Sequence, residues 1–289
     1  MICSDCPRNC GAVRTPEAGN GVCGYGTTAH IARAAPHFWE EPCVSGEKGS
    51  GTVFFCGCNL GCVFCQNAEI SRGSNRGRAV TPEQLRQIYF NLIAQGVHNI
   101  NLVTATHFTD AVIASLQGGL SVPVVYNCGG YEKIETLTRL APHIDVWMPD
   151  LKYTDTALAA EYSHAPDYPE VAEAAILKMY ELAGDYQLDK NGLIQKGVII
   201  RHLILPGHLE NTYRAIDFVT EHFKPGQVLF SLMAQYTPMP NGGPNRKLTT
   251  QEYEAAQEYL FQSGIEDGFI QDSDSSGEEF IPDFNGIIT

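Results

Sequence analysis

From residue 52 onward, short runs of consecutive apolar residues alternate with longer stretches in which apolar residues recur every three or four positions. The short runs are Thr52–Phe55, Asn99–Val103, Val122–Tyr126, Asp145–Met148, Val198–Leu205 and Val228–Leu232. Val, Ile, Leu and Phe occupy both odd and even positions in them, the pattern of strands covered on both faces in a parallel sheet. The longer stretches predict helices over Phe108–Leu116, Glu132–Leu140, Tyr168–Leu182, Leu209–Phe223 and Thr250–Ser263. A further helix has a clear start, with Thr81 as N-cap, Pro82 in the first turn and Gln84 completing a capping box. Its apolar face is Leu85, Ile88, Tyr89, Leu92 and Ile93, and Gly96 ends it. Six strand–helix units in succession predict a right-handed parallel α/β architecture, and periodicity alone allows an open sheet or a barrel.

The flanks differ. Residues 1–51 carry four cysteines in their first 23 positions and little periodicity, predicting a small cysteine-rich segment. Residues 52–264 form the periodic unit, and 265–289 an extension whose acidic run Asp272–Glu279 suits a solvated loop. With 289 residues the chain is long enough to bury a large core. Its net charge of −14 repels phosphate backbones, which argues against nucleic acid as a partner. No stretch reaches the ~20 apolar residues of a membrane span, and the first residues lack a signal-peptide pattern. Ten cysteines without export signals predict reduced thiols and metal binding in the cytoplasm.

Three cysteines, Cys58, Cys62 and Cys65, are spaced C-x3-C-x2-C just after the first strand. Three thiolates on one loop can hold three irons of a cubane cluster and leave the fourth iron without a protein ligand. An open coordination position marks a catalytic metal site, whereas a full set marks a structural or electron-transfer one. The alternative is a zinc loop, but no second close pair flanks these cysteines. In this spacing, with Phe64 just before the third cysteine, the chain resembles the radical S-adenosylmethionine (radical SAM) superfamily. That resemblance implies a partial (β/α)6 barrel with its cluster loop after the first strand. It also implies a 4Fe–4S cluster on Cys58, Cys62 and Cys65, with Phe64 beside the adenine of S-adenosyl-L-methionine. The implied chemistry is one-electron cleavage of that cofactor to a 5′-deoxyadenosyl radical, which removes a hydrogen atom from a substrate.

Cys3, Cys6, Cys10 and Cys23 supply a second set of four thiols, with Cys6-Pro7 in a knuckle-like turn. Four thiolates satisfy a closed zinc site or an iron–sulfur centre equally well. Cys43, Cys56 and Cys128 fit neither set and read as small buried hydrophobes.

A closer resemblance rests on Ser45–Thr52, Asn101–Thr104, Val125–Asn127, Met148–Lys152 and Arg201–Gly207. In these runs the chain is similar to the pyruvate formate-lyase activating enzyme group, whose members abstract hydrogen from a glycine Cα of a partner enzyme. The resemblance implies that Lys152 and Arg201 meet the cofactor's carboxylate and ribose, and that Asp150, with Met148, helps bind a monovalent cation. It also implies a glycyl-radical partner and a flavodoxin- or ferredoxin-like electron donor. Two departures stand out: Thr104-Ala105-Thr106-His107 replaces a Gly-Gly-Glu, and Asn127-Cys128 replaces an Asp-Thr. Thr104, Thr106 and Asn127 are candidates to replace those contacts with neutral hydrogen bonds. His107, His202 and Tyr236 are candidates to face a substrate. Two other functions remain compatible with the sequence: radical chemistry on a small molecule or peptide, and a non-catalytic iron–sulfur electron carrier.

Overall fold

The computed structural model describes residues 2–72, 76–272 and Phe284. Ten strands form one sheet: β1 (Ala29–His37), β2 (Ser50–Phe55), β3 (Arg78–Val80), β4 (Ile100–Val103), β5 (Val124–Cys128), β6 (Val146–Pro149), β7 (Gln187–Leu188), β8 (Ile194–Leu203), β9 (Leu229–Met233) and β10 (Gly268–Ile270). The path through it is β10-β9-β8-β6-β5-β4-β2-β1-β3, with β7 paired to β8 off that path. From β2 to β10 every step on the path is parallel, while β1 and β3 add an antiparallel flank. This is an α/β fold with a mostly parallel sheet, the wall expected of a partial barrel. Every residue of β2, β4, β5 and β6 is buried, which is why these strands read as continuous apolar runs.

The helices are α1 (Pro42–Ser45), α2 (Ala68–Ser71), α3 (Pro82–Ala94), α4 (Thr109–Ser115), α5 (Ile134–Leu140), α6 (Thr156–Ser163), α7 (Tyr168–Ala183), α8 (Leu209–His222) and α9 (Thr250–Ser263). The capping box opening α3 is present, with Gln84 N donating to Thr81 Oγ1 at 3.3 Å and Thr81 N to Gln84 Oε1 at 2.9 Å. All six expected strands and all six expected helices form.

The elements absent from the sequence reading are short or poor in β-formers. β1 reads Ala-His-Ile-Ala-Arg-Ala-Ala-Pro-His, and alanine has weak β propensity. The strand pairs antiparallel with β2, so residues 29–37 extend the sheet ahead of the periodic unit. β10 likewise carries the sheet past residue 264. Most of the acidic run at 272–279 lies outside the described residues. α1 packs Cys43 and Val44 against Val125, Val146, Met148, Ile199 and Leu229, filling the barrel near the starts of β5, β6 and β9. Among the described residues no helix is long and apolar enough to cross a membrane.

Candidate active site

Where β2 ends, the chain turns through Gly57 (φ +82°) into the cysteine loop. A Cβ at Gly57 would lie 2.6 Å from the Cys23 carbonyl oxygen, so only glycine lets the N-terminal segment cross here. Cys58, Cys62 and Cys65 then line one cavity of about 230 Å³. Donors already point at their sulfurs. Leu60 N donates to Cys58 Sγ at 3.3 Å, Ser163 Oγ to Cys62 Sγ at 3.0 Å and Ser71 Oγ to Cys65 Sγ at 3.5 Å. Burial, reinforced by Cys62 and Cys65, pushes the Cys58 thiol up to about 12, and burial with Cys62 raises Cys65. Buried, mutually repelling thiols resist ionisation, and a bound metal compensates the charge of their thiolates. Among the described residues no three His, Cys, Asp or Glu side chains close around a point that one ion would fill. Cubane ligands bind different irons and need no such point. The donor set therefore fits an iron–sulfur cluster.

Phe64 lines the same cavity and is held edge-on by Tyr153 and Tyr162, with ring centroids at 6.3 and 5.9 Å, and tilted against Tyr236 at 5.8 Å. That packing fixes an aromatic face beside the cysteines.

Opposite the loop, β6, β8 and the β1–α1 turn bring together a buried chain of charges. Lys152 Nζ lies 2.5 Å from Asp150 Oδ2, and Arg201 Nε donates to Asp150 Oδ1 at 2.9 Å. Arg201 Nη1 meets Glu40 Oε2 at 3.0 Å, and Nη2 donates to Asn127 Oδ1 at 2.6 Å. Asn101 and Asn127 donate to Glu40 Oε1 at 3.0 and 3.3 Å. Burial raises the Asp150 carboxyl, but Arg201 and Lys152 outweigh it and hold Asp150 below its ordinary range. Burial likewise opposes the Lys152 charge, yet Asp150 and Cys62 hold its pKa above the usual value. Glu40 is raised by burial against the pull of Arg201. Lys152 and Arg201 thus line the cavity as members of an ion-pair network with Asp150. The turn carrying Asp150 and Lys152 is pinned by Tyr168, whose hydroxyl accepts from Lys152 N at 2.9 Å and lies 2.7 Å from the Asp150 carbonyl. Gly130 makes the close passage possible, since a Cβ there would sit 2.2 Å from that same carbonyl.

Several sequence candidates are placed elsewhere. Thr104 and Asn127 reach the cavity wall, Thr104 with a left-handed backbone (φ +60°), a strained conformation for a β-branched residue. Thr106 does not line the cavity. A 3₁₀ turn over Thr106–Phe108 rotates its hydroxyl into the wall, where it donates to Glu132 Oε1 at 2.7 Å. The Met148 side chain belongs to the core around α1, whereas Asp150 lines the cavity. His107 is buried against the Cys56 carbonyl at 2.7 Å. His202 is bonded to Leu151 O at 2.6 Å and Thr212 Oγ1 at 3.0 Å, and Tyr236 donates to Pro244 O at 2.8 Å. None of these three lines the cavity. Cys43, Cys56 and Cys128 are buried, and Cys128 also lines the cavity. Glu40 was not singled out in the sequence, because an acidic pair before a proline reads as a solvated turn.

Glu132 has a measurable consequence. Burial outweighs its hydrogen bonds to Thr106, Tyr126 and Cys128 and raises its carboxyl from 4.5 to about 8. Between those values the folded chain keeps a proton that the unfolded chain has lost, so this group's contribution to stability falls as pH rises. The slope is at most about 1.4 kcal/mol per pH unit. Glu132→Gln should flatten stability between pH 5 and 8, read as urea midpoints at equal metal content. An unchanged slope would show that Glu132 is ionised in the fold.

A family model described as the radical SAM superfamily matches residues 52–219, more than half of the chain. Uncharacterized protein MJ0674 of Methanocaldococcus jannaschii is 28% identical over 223 residues, which are 72% of this chain and 61% of that protein. The chain thus spans about three fifths of the curated relative it matches. Streptococcus suis SuiB, in a crystal structure bound to S-adenosylmethionine, superposes with a TM-score of 0.53 at 17% identity, over 75% of this chain and 48% of SuiB. A domain of pyruvate-formate lyase-activating enzyme from Bacteroides vulgatus gives a TM-score of 0.37 at 14% identity, over 66% of this chain and 91% of that domain. That last likeness is too slight to carry an argument for the subgroup.

Proposed function

Because the chain belongs to the radical SAM superfamily, we propose that it abstracts a hydrogen atom from a protein segment inserted at the cavity, with a glycine Cα of a partner enzyme as the target. The observation that carries the reading is the meeting, in one cavity, of three loop cysteines, Phe64 and the Lys152–Asp150–Arg201 charge chain.

In this reading Cys58, Cys62 and Cys65 hold a 4Fe–4S cluster, with Ser163, Ser71 and the Leu60 amide stabilising the thiolates. A cluster held there would supply the electron for reductive cleavage of S-adenosylmethionine, the source of the 5′-deoxyadenosyl radical for hydrogen abstraction. Lys152 and Arg201 orient the cofactor's carboxylate and ribose, because they are fixed cations in a dry wall. Glu40 and Asp150 keep that wall near neutrality and leave negative charge close to a sulfonium. Phe64 supplies a flat surface for the adenine. Trp39, 61% exposed, stands at the cavity rim and offers a large apolar contact to an incoming chain.

The substrate class is tested by isotope transfer. Cells grown on α-deuterated glycine are lysed without oxygen, and the lysate is separated into large and small molecules. Deuterium should appear in 5′-deoxyadenosine only with the large fraction. Deuterium from the small fraction alone would favour a small-molecule substrate and overturn the protein target.

A further inference from the structure

We propose that Cys3, Cys6, Cys10 and Cys23 form a second, tetrathiolate metal centre, and that Arg8, which lies between two of its ligands, transmits the order so created to the Cys58–Cys65 loop. The inference is independent of the substrate reading above.

The four thiols are neighbours. Cys6 feels the charges of Cys3 and Cys10, and Cys23 those of the same two. Gly21 lies beside two of them, since a Cβ there would be 3.3 Å from Cys10 Sγ and 3.8 Å from Cys23 Sγ. Their sulfurs are prepared as acceptors. The Arg8 amide bonds to Cys6 and the Tyr25 amide to Cys23, each two residues along the chain. The same offset occurs at Cys58 and Cys65, and also at the solitary Cys128, so the company of four thiols is what makes a site here. A buried cation adds to it: Arg14 is 4% exposed and donates to Cys3 Sγ at 3.5 Å. The four thiols do not yet surround one point, and χ1 rotation within these turns is the movement that would close them on a metal.

The segment has little else to order it. Ile2, Val13 and Val22 are 71, 58 and 57% exposed, so these apolar side chains add little to a core. Its contacts with α5 are polar: Lys133 Nζ to Ser4 O at 3.1 Å, Thr136 Oγ1 to Asp5 O at 2.8 Å, and Arg139 to Asp5 at 3.5 Å. A metal is the kind of staple such a segment uses.

Arg8 is the link to the reaction centre. Its guanidinium donates to Asn59 O at 2.8 Å and Leu60 O at 2.8 Å, both inside the cysteine loop. It also donates to Ser163 O at 2.7 Å and to His164 O, at the carbonyl end of α6 beside the hydroxyl that meets Cys62. The fork stacks on Tyr131 at 5.3 Å. One side chain therefore ties the N-terminal knuckle to the backbone that presents Cys58 and Cys62.

The test uses the full chain with Cys58, Cys62 and Cys65 all changed to Ala, purified without oxygen from medium containing zinc and iron. Elemental analysis should find about one zinc per chain, or iron with acid-labile sulfide, and the two readings distinguish the closed zinc site from an iron–sulfur centre. A further Cys23→Ser change should remove it. A triple variant that carries no bound metal would overturn the site, and its N-terminal segment is untouched, so misfolding there is no escape. In the otherwise native chain, Arg8→Ala should keep the N-terminal metal while the barrel loop holds iron about tenfold less tightly. Arg8→Lys should not rescue it, because a single ammonium cannot reach four carbonyls. Unchanged iron loading in Arg8→Ala would overturn the coupling.

Discussion

Cys62→Ala should abolish reductive cleavage of S-adenosylmethionine while leaving the barrel folded. Of the three loop cysteines, Cys62 is the buried one, and its sulfur accepts from Ser163 Oγ at 3.0 Å. Removing it deletes one of three protein ligands, and an iron left without protein support at that corner is readily lost. The expected fall in rate is at least about a thousandfold, equivalent to roughly 4 kcal/mol in the barrier. The fold should survive, because the barrel strands draw their stability from residues such as Val53, Leu102, Tyr126 and Trp147, all essentially fully buried. Far-UV circular dichroism and thermal unfolding check the second half of the expectation, and 5′-deoxyadenosine assay the first. Retained cleavage would remove Cys62 from the site.

Arg201→Ala should damage both stability and cofactor binding. Arg201 bridges Asp150 and Glu40, and its removal leaves two buried carboxylates without their shared cation. Breaking one member of a buried ionic network typically costs about 3–5 kcal/mol, because the partners stay desolvated. At about 2–4 °C per kcal/mol for a chain of this size, the Tm should fall by roughly 10 °C. Arg201→Lys keeps the charge but loses the fork that contacts Asp150, Glu40 and Asn127 together, so it should recover only part of the loss. Combining Arg201→Leu with Glu40→Leu should cost less than the sum of the single changes, since the orphaned carboxylate is then also gone. Strict additivity would show that the two side chains do not act as a pair.

The legible parts of this chain were those whose physics is local. Strands buried on both faces announce themselves in composition, so β2, β4, β5 and β6 could be read directly. The capping box at Thr81 and Gln84 lies within four residues. The cysteine loop is eight residues long, and its spacing alone suggests its chemistry. What could not be read depends on distant partners. Glu40 meets Asn101, Asn127 and Arg201 at separations of 61, 87 and 161 residues, and nothing near Glu40 signals that. Arg8 finds its carbonyls 51 to 156 residues away. Thr106 was misplaced for a different reason: the 3₁₀ turn after β4 rotates a plausible cavity hydroxyl toward Glu132, and strand periodicity does not extend into that turn. His107 and His202 sit near strand ends as catalytic histidines do, yet each ring bonds a backbone carbonyl and neither lines the cavity.

The most direct test of the central claim is 5′-deoxyadenosine formation by the chain purified without oxygen, reconstituted with iron and sulfide, and reduced in the presence of S-adenosylmethionine. Product that requires the reductant and disappears in Cys62→Ala is the predicted result. A correctly loaded and reduced cluster that yields no 5′-deoxyadenosine would contradict it.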